Sequence, residues 1–423
     1  MSERHLPVRP DLDQLKHQAK DMLRAILAGD ASAIDDFNEN HPHPPAISEI
    51  KLADAQLALA RSYDVPSWPR LKQGCEMVDA IWNDDIETVR KLIAKHPDLL
   101  YEQANGRPKS NWGPPMSYAA NLGRNEMIKM LNDLGARDHQ FALDRAALQS
   151  KVSTAKLLHQ MLGTPIPPDG SLGGPAYTLS VPGTQLMLEM GARLRDVNGK
   201  RLAAVDVVLE TDSRDPESKH RILELYEEYG FELPDTPTMA LHRGRIDLLE
   251  KHLRRDPDLL NRTFTHEEIY PPEMGCGDEV NATQGTPLKG TTLLHLCADY
   301  DEIEIAKWLI ERGADVNTRA AVDADGFGGH TALFCTVVSQ PNFWMNYKGL
   351  PQAAPFTELL LEHGADVSVR ASLRKQLHPG YAPGLDAGMY EYRDITALEW
   401  GEQFHGKVFV SEPAMKLIRE AGK

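Results

Sequence analysis

Five polar side chains in the second half of this 423-residue chain are of types that do chemistry: His266, Glu267, Asp325, His330 and His378. Carboxylates beside imidazoles can relay protons or hold a divalent ion. Their spacing excludes the familiar local motifs. His266 is followed by two glutamates, but no second histidine stands four residues on, as a zinc-protease helix needs. Asp323, Asp325 and Gly326 echo a calcium loop, yet no glutamate occupies its twelfth position. The glycine-rich run at 326–330 lacks the lysine of a phosphate loop. The Gly-x-Ser-x-Gly nucleophile elbow is absent too. The sequence therefore commits to no catalytic residue, no metal and no cofactor. The five remain candidates only if folding brings them together.

A second set is suited to recognition. Tyr101, Arg107, Asn111 and Trp112 lie in the segment 101–113, and Tyr270 lies in 262–290. Phe327 lies in 318–330, and Tyr381, Tyr390 and Tyr392 lie in 369–394. A further segment, 339–355, carries Phe343, Trp344 and Tyr347. Aromatic residues among prolines suit ordered loops that wall in a groove for a peptide, a protein segment or a small molecule. The plainer reading is that they glue long loops to the body of the protein. Both readings stay open.

The elements that must carry these segments are helical and repeated. Ile86, Val89 and Ile93 precede Ile246, Leu249 and Leu253 by 160 positions, and the PDLL tetrapeptide after each set keeps that register. Apolar residues at i, i+3 and i+7 share one helix face. A shared face with a shared terminator marks a repeated unit. From Gly290 the sequence reads GTTLLHLCA, and after a helical stripe of Ile305, Ala306, Leu309 and Ile310 it reads GADVN at 313–317. This stretch resembles an ankyrin repeat nearly position for position, with Leu293 in place of proline and Asp301 in place of the mid-repeat glycine. Weaker units open at Pro115, Thr331 and Thr396, and residues 141–232 match least well. About nine units fit between 75 and 423.

The resemblance implies an all-α fold: an ankyrin-repeat solenoid of stacked helix pairs with long finger-loop insertions. It implies that Thr292 and Thr331 cap first helices and that His295 bonds backbone within the array. It also implies that Gly313 and Gly364 take left-handed conformations. Before the repeats, helices are expected from Asp11 to Ala28 and from Ser48 to Tyr63. With the run Leu52 to Tyr63 and the Pro66 to Leu71 segment, this module resembles a helical leader of bacterial ankyrin arrays. The expected division is 1–73 for that module, 74–262 for partly degenerate repeats and 263–423 for repeats with long insertions. The Thr292-to-Thr331 distance is 39 and the Thr331-to-Thr396 distance is 65, against about 33 for the family. The excess is where function is expected.

Composition sets the remaining limits. Hydrophobic residues at 41% and charged residues at 26% are those of a folded protein in water. A net charge of −16 argues against nucleic acid and against an anionic membrane surface. Four cysteines without a C-x-x-C pair fit neither a zinc ribbon nor a disulfide scaffold. The sequence thus reads as a cytoplasmic, bacterial binding protein. It would recognise a protein or peptide partner, basic in character, through its concave face and fingers. The alternative is an enzyme or small-ligand receptor whose pocket is formed by the insertions of the C-terminal half.

Overall fold

The computed structural model describes residues 6–211, 213–279, 283–349, 353–377 and 388–423. It divides into two compact units, Met1–Ile166 and Pro167–Lys423. That division does not coincide with the compositional boundaries at 73 and 262.

In the first unit, helix Leu12–Leu27 starts where Asp11 accepts the amides of Asp13 and Gln14, at 2.8 and 2.9 Å. It buries Leu15, Ala19, Met22 and Ile26, and Gly29 follows it at φ 81°. Helix Leu52–Ser62 is shorter than expected, because residues 47–49 form a separate turn. Between these two lies a helix the periodicity did not announce, Ala31–Asn40, capped by Asp30 and anchored by Phe37. Three helix pairs follow: Trp68–Trp82 with Ile86–Lys95, Pro115–Leu122 with Asn125–Asp133, and His139–Leu148 with Val152–Met161.

The second unit continues the same construction. Its pairs are Gly173–Tyr177 with Val181–Glu189, Val205–Glu210 with Pro216–Glu228, and Pro237–His242 with Ile246–Arg255. Then come Leu293–Tyr300 with Ile303–Glu311, Ala332–Val337 with Pro355–Glu362, and Ala397–Gln403 with Glu412–Ala421. The described residues thus hold nine helix pairs in all. Within each unit, helices pack on their pair partners and on helices of neighbouring pairs. Such stacking buries the face that one pair alone leaves open.

One left-handed residue turns the chain inside many of these pairs. Asp84, Gly123, Ser150, Leu179, Gly244 and Asp301 all have φ between 51° and 76°. Asp301 therefore takes the conformation of the glycine it replaces, which aspartate tolerates better than most residues. The 160-residue register survives in three dimensions. Ile86–Lys95 and Ile246–Arg255 share their bounds, as do the single turns Pro97–Leu100 and Pro257–Leu260. Gly313 and Gly364 are left-handed, at 99° and 83°.

Two expectations change. Thr292 caps its helix jointly with His295, but Thr331 makes no side-chain cap bond, and its carbonyl alone takes the Phe334 amide at 3.0 Å. The helical array also carries one antiparallel strand pair, β1 (Ala371–Lys375) and β2 (Tyr390–Ile395). Helix Gln340–Lys348 lies between the two helices of a pair, so the 339–355 insertion does split that pair.

The core of the second unit contains charge. Arg214 Nη2 donates to Asp299 Oδ2 at 3.1 Å, with the side chains 3% and 0% exposed. Lys219 Nζ lies 2.8 Å from Glu302, whose carboxylate also meets His220 at 2.7 Å. Arg214 and Lys219 both stand against the Tyr300 ring, 4.4 and 4.3 Å from its centre. The Tyr300 hydroxyl donates to the Leu209 carbonyl at 2.7 Å and sits 2.8 Å from the Tyr270 hydroxyl. Buried charges of this kind persist only when paired and bonded.

Candidate functional site

The finger segments of the second unit are joined to one another by backbone hydrogen bonds. Phe264 N–H donates to the Thr291 carbonyl at 2.8 Å, and Gly290 N–H returns to the Phe264 carbonyl at 2.8 Å. Ala321 N–H then donates to the Gly290 carbonyl at 2.7 Å. Gly328 N–H donates to the Ser372 carbonyl at 2.7 Å, which carries the link into β1. Gly328 is essential to this arrangement. Its φ is 122°, and a Cβ there would lie 2.0 Å from the Ala321 carbonyl oxygen.

These linked fingers enclose a cavity of about 290 Å³. Phe264, Pro287, Phe327, His330 and Leu373 are its buried members. Thr263, Thr265, Lys289 and Val322 are exposed and form its mouth, with Glu279, Asp323 and Arg374 beside them. Asp323 shapes the wall by accepting the amides of Asp325 and Phe327, both at 2.9 Å. Those bonds, the Phe327 amide foremost, hold the Asp323 carboxyl below its ordinary pKa. Arg374 spans from β1 to both aspartates, 2.8 Å to Asp323 and 2.9 Å to Asp325. Phe327 lies beneath two guanidiniums, Arg374 at 4.8 Å and Arg393 at 4.3 Å.

The two histidines near the cavity are neutral. His295 Nδ1 accepts from the Thr292 hydroxyl at 2.9 Å, and its Nε2 donates to the His330 carbonyl at 3.2 Å. His330 Nε2 donates to the Pro287 carbonyl at 3.0 Å, and its ring meets His295 edge-on at 5.5 Å. Burial lowers His295 to about 4 and His330 to about 3. Because His330 Nε2 holds the proton, Nδ1 carries the lone pair, and that nitrogen has no hydrogen-bond partner among the described residues.

The described chemical candidates are held by different partners. His266 Nε2 bonds the Gly277 carbonyl at 2.8 Å, and Glu267 is exposed. Asp325 faces Arg374, while His330 is committed to Pro287. His378 lies outside the described residues, as does Tyr381. Among the described residues no group of three or more His, Cys, Asp or Glu side chains is placed to hold a metal.

The recognition set divides sharply. Tyr270 is 1% exposed and Tyr392 is 7% exposed, so both are core residues and neither presents a face to a partner. The reason is polar as well as apolar. Tyr270 meets the Tyr300 hydroxyl, and the Tyr392 hydroxyl is 2.6 Å from His405 Nδ1 with its ring edge-on to Trp400 at 4.8 Å. Tyr390, 37% exposed, stacks on His405 at 4.0 Å. Phe327 is buried but lines the cavity.

The first unit holds the other four recognition candidates. Trp112 is half-buried against Trp82 and Tyr118, at 6.3 and 4.8 Å. Arg107 pairs with Asp64 at 3.1 Å, Tyr101 is exposed beneath Arg137 at 5.3 Å, and Asn111 is exposed. Sequence reasoning passed over Phe264, Lys289, Val322, Leu373 and Arg374. Only the alternation through 371–375 hinted that Arg374 belongs to a strand.

Helix pairs turned by a left-handed residue, with bonded fingers between them, define a class of repeat protein. Residues 289–321 match the family model described as the ankyrin repeat. The chain thus contains a stretch that matches an ankyrin repeat, and ankyrin repeats in general mediate contacts between proteins. The ankyrin repeat domain of human ASB11 is similar over 72% of this chain and 97% of that one, at 17% identity and a TM-score of 0.25. That likeness is too loose to bear on function. None of the curated proteins is significantly similar to the sequence. Among the described residues no helix is long and apolar enough to cross a membrane.

Proposed function

We propose that the second unit binds a peptide segment of a protein partner along its fingers. The observation that carries this reading is the cavity of about 290 Å³ between finger segments that are bonded to one another. Its buried wall is largely apolar and its mouth is polar, as at the centre and rim of an interface. The fingers are pre-ordered by backbone bonds and by the Arg374 bridges, which lowers the entropic cost of binding. Lys289 and Arg374 stand against Glu279 and Asp323 around the mouth, so the charges there balance and lend no support to a basic partner at this site. A cytoplasmic setting agrees with four free cysteines.

A displayed peptide library panned on the full chain tests the proposal. Recovered peptides should bind Lys289→Glu and Arg374→Glu at least about tenfold more weakly than the intact chain, the loss seen at the few residues that dominate an interface. Equal binding to all three proteins would reject the fingers as the recognition surface.

A further inference from the structure

What the cavity wall can bond decides what can enter it. Its volume of about 290 Å³ is at the lower edge of the usual small-molecule range, enough for one side chain and no folded element. Phe264, Pro287, Phe327 and Leu373 give it an apolar wall. The polar groups of that wall are already engaged. Phe264 donates its N–H to Thr291 and accepts from Gly290. Phe327 donates its N–H to the Asp323 carboxylate at 2.9 Å and accepts from the Asp323 amide at 2.8 Å. The Pro287 carbonyl accepts from Nε2 of His330, whose Nδ1 is closed to solvent. An entering donor or acceptor would lose water and gain no partner from these groups, which is costly.

Charge is no better received. The Phe264 ring already has the Arg262 guanidinium 4.5 Å from its centre, and the Phe327 ring has Arg374 and Arg393. A cationic side chain would compete with them for the ring faces. At the mouth Lys289 and Arg374 stand against Glu279 and Asp323, and Arg374 is tied to both Asp323 and Asp325. An anion therefore meets no surplus of positive charge.

We infer that the cavity is the specificity pocket of the peptide site and takes an apolar side chain without a hydrogen-bonding group, such as leucine, methionine or phenylalanine. This rests on the peptide-binding reading above and adds the class of the anchoring residue. Affinity at this pocket comes from the apolar area removed from water.

The test uses the full chain with ¹³C-methyl leucine and valine, and acetyl-alanyl-X-alanine amides in which X is leucine, methionine, glutamine or lysine. Glutamine is close to methionine in shape but carries an amide. The leucine and methionine probes should shift the Leu373 methyl resonances, assigned by their absence in Leu373→Met. Glutamine and lysine probes should bind about tenfold or more weakly. Val322 is 61% exposed at the mouth, so Val322→Trp should plug the cavity and abolish binding of the leucine probe without touching the core. If Leu373→Met fails to fold, the Val322 methyls, assigned by their absence in Val322→Ala, report binding instead. Glutamine or lysine probes that bind as tightly as methionine would overturn the inference. So would undiminished binding of the leucine probe to Val322→Trp, or no binding of any probe up to its solubility. Should the probes fail while library peptides still lose affinity on Lys289→Glu, the anchor is wrong and the peptide-binding reading stands. Should library peptides bind Lys289→Glu and Arg374→Glu undiminished, that reading fails whatever the probes do.

Discussion

Arg214 and Asp299, 85 positions apart, form an ion pair inside the second unit with neither side chain reaching solvent. The guanidinium also donates to the Asp299 carbonyl at 3.2 Å and to the Ser213 carbonyl at 3.3 Å. The pair therefore fixes residues 213–215 to the first helix of the Thr292 repeat. Removing one partner leaves the other charged and buried, which costs about 3–5 kcal/mol. Asp299→Ala should lower the urea midpoint accordingly. The double variant Arg214→Met with Asp299→Leu should recover much of that loss. A double variant as unstable as the sum of the singles would contradict this account.

The neutral histidines make stability depend on acid. His295 and His330 titrate near 4 and 3 when folded, against about 6.5 when unfolded. In that window the unfolded chain binds more protons, so stability rises with pH. Their contribution is complete above about pH 6.5 and is lost as pH falls toward 4 and then 3. Urea midpoints at pH 7.5, 6.0 and 5.0 should decline in that order. His330→Phe should be weaker at pH 7.5, having lost the bond to Pro287, but should decline less steeply.

Lys375 behaves in the opposite range. It is buried in β1, its ammonium donates to the Thr283 carbonyl, and burial lowers its pKa to about 8. The unfolded lysine keeps its proton to about 10.4. Between those values the unfolded chain again holds more protons, so this group adds stability as pH rises from 8. Lys375→Met should raise the midpoint at pH 7, because it removes a buried charge. It should also flatten the rise between pH 8 and 9.5. A lower midpoint for Lys375→Met at pH 7 would refute this reading.

Gly328 tests the bonding between fingers. Its φ is 122°, and the Ala321 oxygen stands 2.0 Å from where the Cβ of any other residue would have to lie. Gly328→Ala should therefore cost about 1–3 kcal/mol. Hydrogen exchange should quicken at Ala321, Gly328 and Ser372 while the helices of the Thr292 repeat keep their protection. Unchanged exchange at Ser372 would mean that the link to β1 does not depend on Gly328.

Much of the helical array was legible because a repeat states its pattern more than once. The PDLL terminators, the GADVN ending and the position of Asp301 each rely on local backbone geometry, and local geometry is written in neighbouring residues. The helix Ala31–Asn40 was harder to read, since Phe37 alone is fully buried on it. The strand pair depends on partners 15 to 24 residues apart, such as Lys375 with Tyr390 and Ala371 with Ile395. Tyr270 and Tyr392 look like surface aromatics because prolines and charges surround them in sequence. What buries them, Tyr300 and Trp400, comes from other segments. The cavity follows the same rule: Phe264, His330 and Leu373 meet only after three insertions have folded onto one another.

The backbone bonds passing from Phe264 through Gly290 and Ala321, and from Gly328 to Ser372, make neighbouring insertions share their fate. Loosening any one removes donors and acceptors from the next, so fraying at one tip is transmitted sideways as well as down its own stem. An evolving chain could lengthen one tip for a new partner only while keeping this lateral seam intact.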